Sequence, residues 1–187
     1  MGSSPPPVFA AAAIPPPAQP ISADWFRQHI RHMFADEVVA SYIEKWLAWP
    51  IQNPHTPSQV VLVVVGPHGC GKSSLIKLMS RIIGSAHFVN MDESSLTKRK
   101  FPNNNANYII CTNHVPSARI IEEMSMRMCI VNASENGAKY GTYKHSEYFQ
   151  KLHMFLDDPA HARGVYDFLL SVDLAGVNLM HDKPRCC

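Results

Sequence analysis

The sequence of 187 residues is poor in charge: charged residues make up 17% of it, and the formal balance is only +2. So small an excess does not by itself mark a dedicated nucleic-acid binder, since such domains usually show clear basic patches. Any contact with nucleic acid has to be made locally. The five cysteines, Cys70, Cys111, Cys129, Cys186 and Cys187, form no C-x-x-C pair, and a reducing, intracellular setting fits them best. No apolar run approaches the roughly 20 residues of a membrane span. The Ala10 to Ala13 patch has no basic segment before it, so it does not read as a secretion signal. Gly2 is followed by Pro6 where a myristoylation motif needs Ser or Thr. Internal repeats are missing as well. What is left is a soluble chain with length enough for one hydrophobic core and too little for two large ones.

Proline is in excess, 15 in all, and much of it falls in residues 1 to 20, where there is no charge. That composition predicts an extended Pro/Ala-rich tail or linker. Residues 21 to 55 read as an N-terminal helical segment. Ser22 can cap a first helix whose Trp25, Phe26, Ile30 and Met33 share a face. A second helix starts near Asp36, with Val39, Tyr42, Ile43, Trp46 and Leu47 at helical spacing, and Pro50 with Asn53-Pro54 marks its end. This aromatic stripe reads as core packing. His29 and His32, three apart on the first helix, lack a further ligand set and read as a solvated pair, not a metal site.

Residues 56 to 135 have the pattern of an α/β core. Val60 to Val65 is six consecutive β-branched or leucine residues, as in a strand of a parallel sheet covered on both faces. Leu75, Ile76, Met79, Ile82 and Ile83 place a helix over Gly71 to Ile83, closed by Gly84. Ala86 to Met91 reads as a short strand, and Tyr108 to Thr112 and Met128 to Val131 as buried ones. Residues 136 to 187 read as a C-terminal helical segment, with helices near Ser146 to Leu156 and Ala160 to Ser171.

Between the first strand and its helix stands Gly66-Pro67-His68-Gly69-Cys70-Gly71-Lys72-Ser73. It matches G-x-x-x-x-G-K-[ST] in full and in the strand-turn-helix setting the motif requires. Its glycines let backbone N–H groups turn inward around β- and γ-phosphates, where the helix start adds roughly half a positive charge. Lys72 is expected to reach the phosphate oxygens and Ser73 to ligate magnesium, with Ser74 next in the same turn. The expected ligand is therefore ATP with Mg2+. The expected fold is an α/β P-loop NTPase with a small, mainly parallel sheet and flanking N- and C-terminal helices.

Several segments resemble the helicase part of viral and phage primase-helicases, the superfamily 3 group of ring-forming P-loop motors related to AAA+ ATPases. Tyr42-Ile43-Glu44-Lys45-Trp46-Leu47-Ala48-Trp49-Pro50-Ile51-Gln52-Asn53-Pro54 resembles the helix before that family's phosphate loop. Tyr108-Ile109-Ile110-Cys111-Thr112-Asn113-His114 resembles its strand ending in a polar sensor Asn. Arg127 with Met128 to Val131 is similar to the basic residue and strand that follow. Tyr148-Phe149, Leu156 to Pro159 and Phe168 to Leu174 resemble its C-terminal helices. The resemblance implies that the sensor strand lies directly beside the phosphate-loop strand, with the later strand on its other side.

Phosphoryl transfer needs a residue that positions water, and Asn113 at the end of a strand suits it, a turn-forming Asn before Pro116 being the plainer account. It also gains from an arginine acting across a subunit boundary, for which Arg127 is the candidate and Arg119 the runner-up, with a solvated surface charge as the alternative. Asp92 and Glu93, after Phe88 to Met91, would supply a magnesium-shell carboxylate and a base. A second alignment to the family leaves the acidic strand missing, with the join near Phe101 to Asn107. Met126 stands where the family tends to carry a second arginine, and the chain stops soon after its last motif, as a shortened relative would. Lys98-Arg99-Lys100 could contact a phosphate backbone or be a solvated loop.

The resemblance implies a replicative helicase domain of viral or mobile-element origin. It would act as a homo-oligomeric ring, a hexamer, on single-stranded DNA, with any primase module on a separate or lost segment. The alternatives are a nucleotide-binding assembly module without catalysis and a small-molecule phosphotransferase.

Overall fold

The computed structural model of the chain describes residues 9–15, 21–84, 107–114, 127–134 and 147–184. Its organising element is strand β1, Val61–Val65, in which every residue is buried. An unbroken run of valine and leucine requires apolar cover on both faces and hydrogen-bonded neighbours on both edges. Both neighbours are parallel. β2, Ile109–Thr112, pairs from Leu62 with Ile109 to Val65 with Thr112. β3, Met128–Asn132, pairs from Val61 with Met128 to Val65 with Asn132. The order β2-β1-β3 is the one the resemblance implies. Leu62 and Val64 point into the main core, while Val61, Val63 and Val65 pack with Met128 and with Tyr108, Ile110 and Ile130 on the other face.

Five α-helices accompany the sheet among the described residues: α1 Asp24–Met33, α2 Glu37–Gln52, α3 Lys72–Ile83, α4 Glu147–Asp157 and α5 Pro159–Ser171. N- and C-terminal helices share one core with the strands, since Phe26, Leu47, Leu75, Leu156 and Leu169 belong to one buried cluster. The aromatic stripe of α2 is its hub. Trp46 Nε1 donates to the Val60 carbonyl at 3.1 Å, and the Tyr42 hydroxyl donates to the Leu179 carbonyl at 2.8 Å. Gln52 Nε2 donates to the carbonyls of Leu169 and Val172, both at 2.8 Å, which satisfies acceptors at the end of α5 that have no helical partner. Glu44, nearly buried, joins α1 to α2 by accepting from Arg31 at 2.8 Å, with Arg27 3.7 Å away.

Three readings of the sequence need revision. Pro50 does not stop α2: it lies inside the helix, which runs on to Gln52 and ends where Asn53-Pro54 marked it, with Asn53 as the C-cap. A proline there forfeits one backbone bond, and packing of the buried Ile51 outweighs that loss. Nor is all of the N-terminal stretch an extended tail. Ala10–Ala13 forms a short 3-10 helix with Phe9 and Ala11 in the core, and Arg163 on α5 donates to the Ile14 carbonyl at 2.7 Å. Too short for any periodicity to show, this anchor was hidden by composition. The third revision concerns His29 and is given with the site below. The strand expected at 86 to 91 lies outside the described residues. Among the described residues, no helix is long and apolar enough to cross a membrane.

An exposed ion cluster ties α3 to α4: the Asp157 carboxylate accepts from Lys77 at 2.8 Å and Arg81 at 2.9 Å. The Lys77 hydrogen bond, foremost, holds the Asp157 carboxyl below its ordinary value of 3.8. A depressed carboxyl adds stability above 3.8 that is lost as pH falls through its folded value. Asp157→Asn is therefore expected to lower the melting temperature slightly at neutral pH and low salt. The difference from wild type should vanish in melts below the carboxylate range.

Candidate phosphate-binding site

Residues 66–71 turn from the end of β1 into α3, and the start of that helix carries no side-chain cap and no acidic residue in its first turn. Its first intrahelical bond runs from the Leu75 amide to the Gly71 carbonyl, at 3.1 Å. The amides of Lys72, Ser73 and Ser74 therefore have no acceptor within the helix. Such an N-terminus attracts anions through its aligned N–H groups and its partial positive charge. The Ser73 side chain is exposed at this point, whereas Ser74 is buried.

Two glycines of the loop are demanded by close approach. A Cβ at Gly66 would stand 2.8 Å from the Ala133 Cβ, just after β3. Gly71 has φ +106, and a Cβ there would stand 2.5 Å from His29 Cε1 and 3.3 Å from Met33 Cγ. The loop is thus wedged between the exit of β3 and helix α1.

Lys72 curls over the loop. Its Nζ donates to the carbonyls of Gly66 at 2.6 Å and Pro67 at 2.8 Å, with Cys70 Sγ at 3.5 Å. An ammonium has three protons, so a phosphate oxygen has to displace one of these acceptors, and the long contact to sulfur is the weakest. Cys70 is buried in the loop and Cys111 lies in the adjacent strand. Burial pushes the Cys111 thiol up to about 12, against the pull of Lys72, so both its hydrogen-bonding and its charge state are those of a neutral thiol.

Asn113 follows β2 beside the loop, because the Gly66 amide donates to the Thr112 carbonyl at 3.1 Å. Its amide nitrogen lies 3.0 Å from His68 Nε2. Thr112 Oγ1 bonds both the carbonyl and the amide of His114, which fixes the bend that presents Asn113. Arg127 is elsewhere. Its carbonyl accepts from the Val61 amide at 2.7 Å, so it lies at the N-terminal end of the parallel strands, about 16 Å along β1 from the loop at roughly 3.3 Å per residue. Its side chain is exposed. Asp92, Glu93, Lys98 to Lys100 and Arg119 lie outside the described residues, and among the described residues no group of three or more His, Cys, Asp or Glu could hold a metal.

His29 is the residue the sequence reading misplaced. It is no solvated partner of His32: it is 1% exposed, its Nδ1 lies 2.7 Å from the Tyr148 hydroxyl on α4, and its ring edge fills the space beside Gly71. Burial, opposed by the Gly71 backbone and helped by His32, lowers its pKa to about 4. The imidazole is therefore neutral at ordinary pH. Its position among Phe26, Ile30 and Met33 was the available signal, since all four lie on one face of α1.

The residues present fit a nucleoside triphosphate and magnesium: uncompensated helix amides, a lysine over the loop and an exposed serine hydroxyl at the helix start. Comparison with curated proteins yields no match. Among solved structures, the A-form apo C-terminal region of NrS-1 aligns with a TM-score of 0.66 at 16% identity, over 95% of this chain and 51% of that one. A second apo structure, of NrS-1 residues 305–718, aligns at 0.62 and 14% identity over 90% and 50%. The chain spans about half the length of these structures, and at such identities the likeness speaks to the fold alone. Residues 24–140, from the first turn of α1 to beyond β3, match the Rad17 P-loop domain, and with more than half of its length so matched, the chain belongs to that family.

Proposed function

We propose that the chain is an ATP-binding, helicase-type NTPase domain of a viral or mobile-element DNA replication protein. In this reading it couples ATP hydrolysis to movement along single-stranded DNA as part of a homo-oligomeric ring. The observation that carries it is the uncapped start of α3, where Lys72 and the free amides of Lys72, Ser73 and Ser74 converge. Loop residues Gly66, Pro67, His68, Gly69, Cys70 and Gly71, with Lys72, Ser73 and Ser74, hold the phosphates; Ser73 and Asp92 hold magnesium. The metal, when bound, neutralises charge on the phosphate oxygens. Glu93 serves as base, and Asn113, 3.0 Å from the loop residue His68, positions water. Arg127, exposed and at the far end of the sheet from its own loop, suits a role at a neighbouring subunit's site.

Magnesium-ATP affinity and turnover, measured with and without single-stranded DNA, test the reading. DNA-stimulated turnover that Lys72→Ala abolishes is the expected result. That substitution removes a charge-assisted contact and should weaken ATP binding about ten- to hundred-fold. Tight binding without turnover would point instead to a non-catalytic assembly module, and phosphate transfer to nucleosides to a phosphotransferase. No binding at millimolar ATP would overturn the nucleotide assignment itself.

A further inference from the structure

A buried contact runs from the phosphate loop to the C-terminal helices. The His29 ring stands against Gly71 on one side, and on the other its Nδ1 lies 2.7 Å from the Tyr148 hydroxyl. Tyr148 is itself held: its ring tilts over His32 with centroids 4.5 Å apart and meets Phe149 edge-on at 5.1 Å. His29 Nε2 faces the Gly71 backbone and makes no well-formed hydrogen bond among the described residues.

A neutral imidazole carries one ring proton, and its place is set by the bond the other nitrogen makes. Burial pushes the Tyr148 phenol up, so it keeps its proton. A phenol O–H donating to Nδ1 leaves the imidazole proton on Nε2, the atom turned to Gly71. The Gly71 carbonyl already accepts from Leu75, and its second lone pair can take this weaker contact.

We propose that His29 is a positioning residue of the phosphate loop. Tyr148 on α4 fixes its Nε2–H tautomer, and the ring braces Gly71 in the backbone shape that aims the first amides of α3 and Lys72 at a phosphate. The C-terminal helix thereby sets the geometry of the loop. This inference rests on the nucleotide reading above and adds to it a specific coupling between α4 and the site.

The test compares two single-hydroxyl deletions in the full chain. Tyr148→Phe removes the bond to His29 and keeps the ring. Tyr42→Phe removes a more deeply buried bond, to the Leu179 carbonyl, outside the loop. Both should lower the melting temperature by about 2–4 °C. Only Tyr148→Phe should weaken magnesium-ATP binding in calorimetry, by about three- to ten-fold. Nitrogen-15 NMR should show His29 protonated at Nε2 in the wild type and a tautomer mixture in Tyr148→Phe. Equal ATP affinities in the two variants, or an Nδ1-protonated His29 in the wild type, overturn this inference alone. A wild-type chain that binds no magnesium-ATP overturns the nucleotide reading and this inference with it.

Discussion

Gly71→Ala is expected to destabilise the fold by about 2–5 kcal/mol and to abolish tight binding of magnesium-ATP. Two separate effects contribute. The backbone at Gly71 has φ +106, a region in which an L side chain costs about 1–2 kcal/mol. The new methyl group would also stand 2.5 Å from His29 Cε1, and overpacking of that kind costs about 1–3 kcal/mol. His29 has little room to retreat, because Tyr148 holds Nδ1 and the ring is buried. Relief of either strain would shift the helix start and misdirect its amides. Urea unfolding and calorimetric titration check both parts. In a His29→Ala background the same substitution should cost only the backbone share, whereas a Gly71→Ala chain with wild-type stability would show that neither constraint exists.

Stability is expected to fall by about 3 kcal/mol as pH drops from 6.5 to 4, through His29 alone. The sign follows from burial. In the folded chain the imidazole titrates near 4, against 6.5 when exposed, so between those values the unfolded chain binds the proton and the folded one does not. The contribution is complete above 6.5, declines as pH falls, and is constant again below about 4. His32, also lowered by burial, acts in the same direction. Asp157 acts only at lower pH, so the two windows separate. Urea unfolding between pH 4 and 7 should show the slope in the wild type and a much smaller one in His29→Gln. An unchanged slope in that variant would mean that the imidazole is not the group responsible.

The parts of the fold with local signatures were legible. Val61–Val65 announced a doubly covered strand, the motif at 66–73 sat where the chain turns, and the apolar spacing of α1, α3, α4 and α5 gave their extents to within a residue or two. The start of α2 was placed near Asp36, and the structure makes that residue its cap, the side chain accepting from the Val38 amide. Pro50 misled because its penalty is local and fixed, whereas the gain from burying Ile51 depends on partners elsewhere in the chain. His29 misled for the same reason: polarity argues for water until Tyr148, 119 residues away, supplies a partner. The position of Arg127 at the far end of the sheet was implicit once its strand was taken as parallel to β1, because a parallel strand starts where the phosphate loop is not.

Side-chain bonds from the first two helices to the C-terminal stretch join distant parts of the chain: His29 to Tyr148, Gln52 to Leu169 and Tyr42 to Leu179, separated by 119, 117 and 137 positions. On a ribosome adding roughly 5–20 residues per second, the first two helices wait on the order of ten seconds for these partners. Until then Phe26, Ile30 and Trp46 lack part of their covering, and Gly71 is without its brace. The phosphate loop is made early and finished late, so a nascent chain acquires its mature binding surface only as its C-terminal helices emerge.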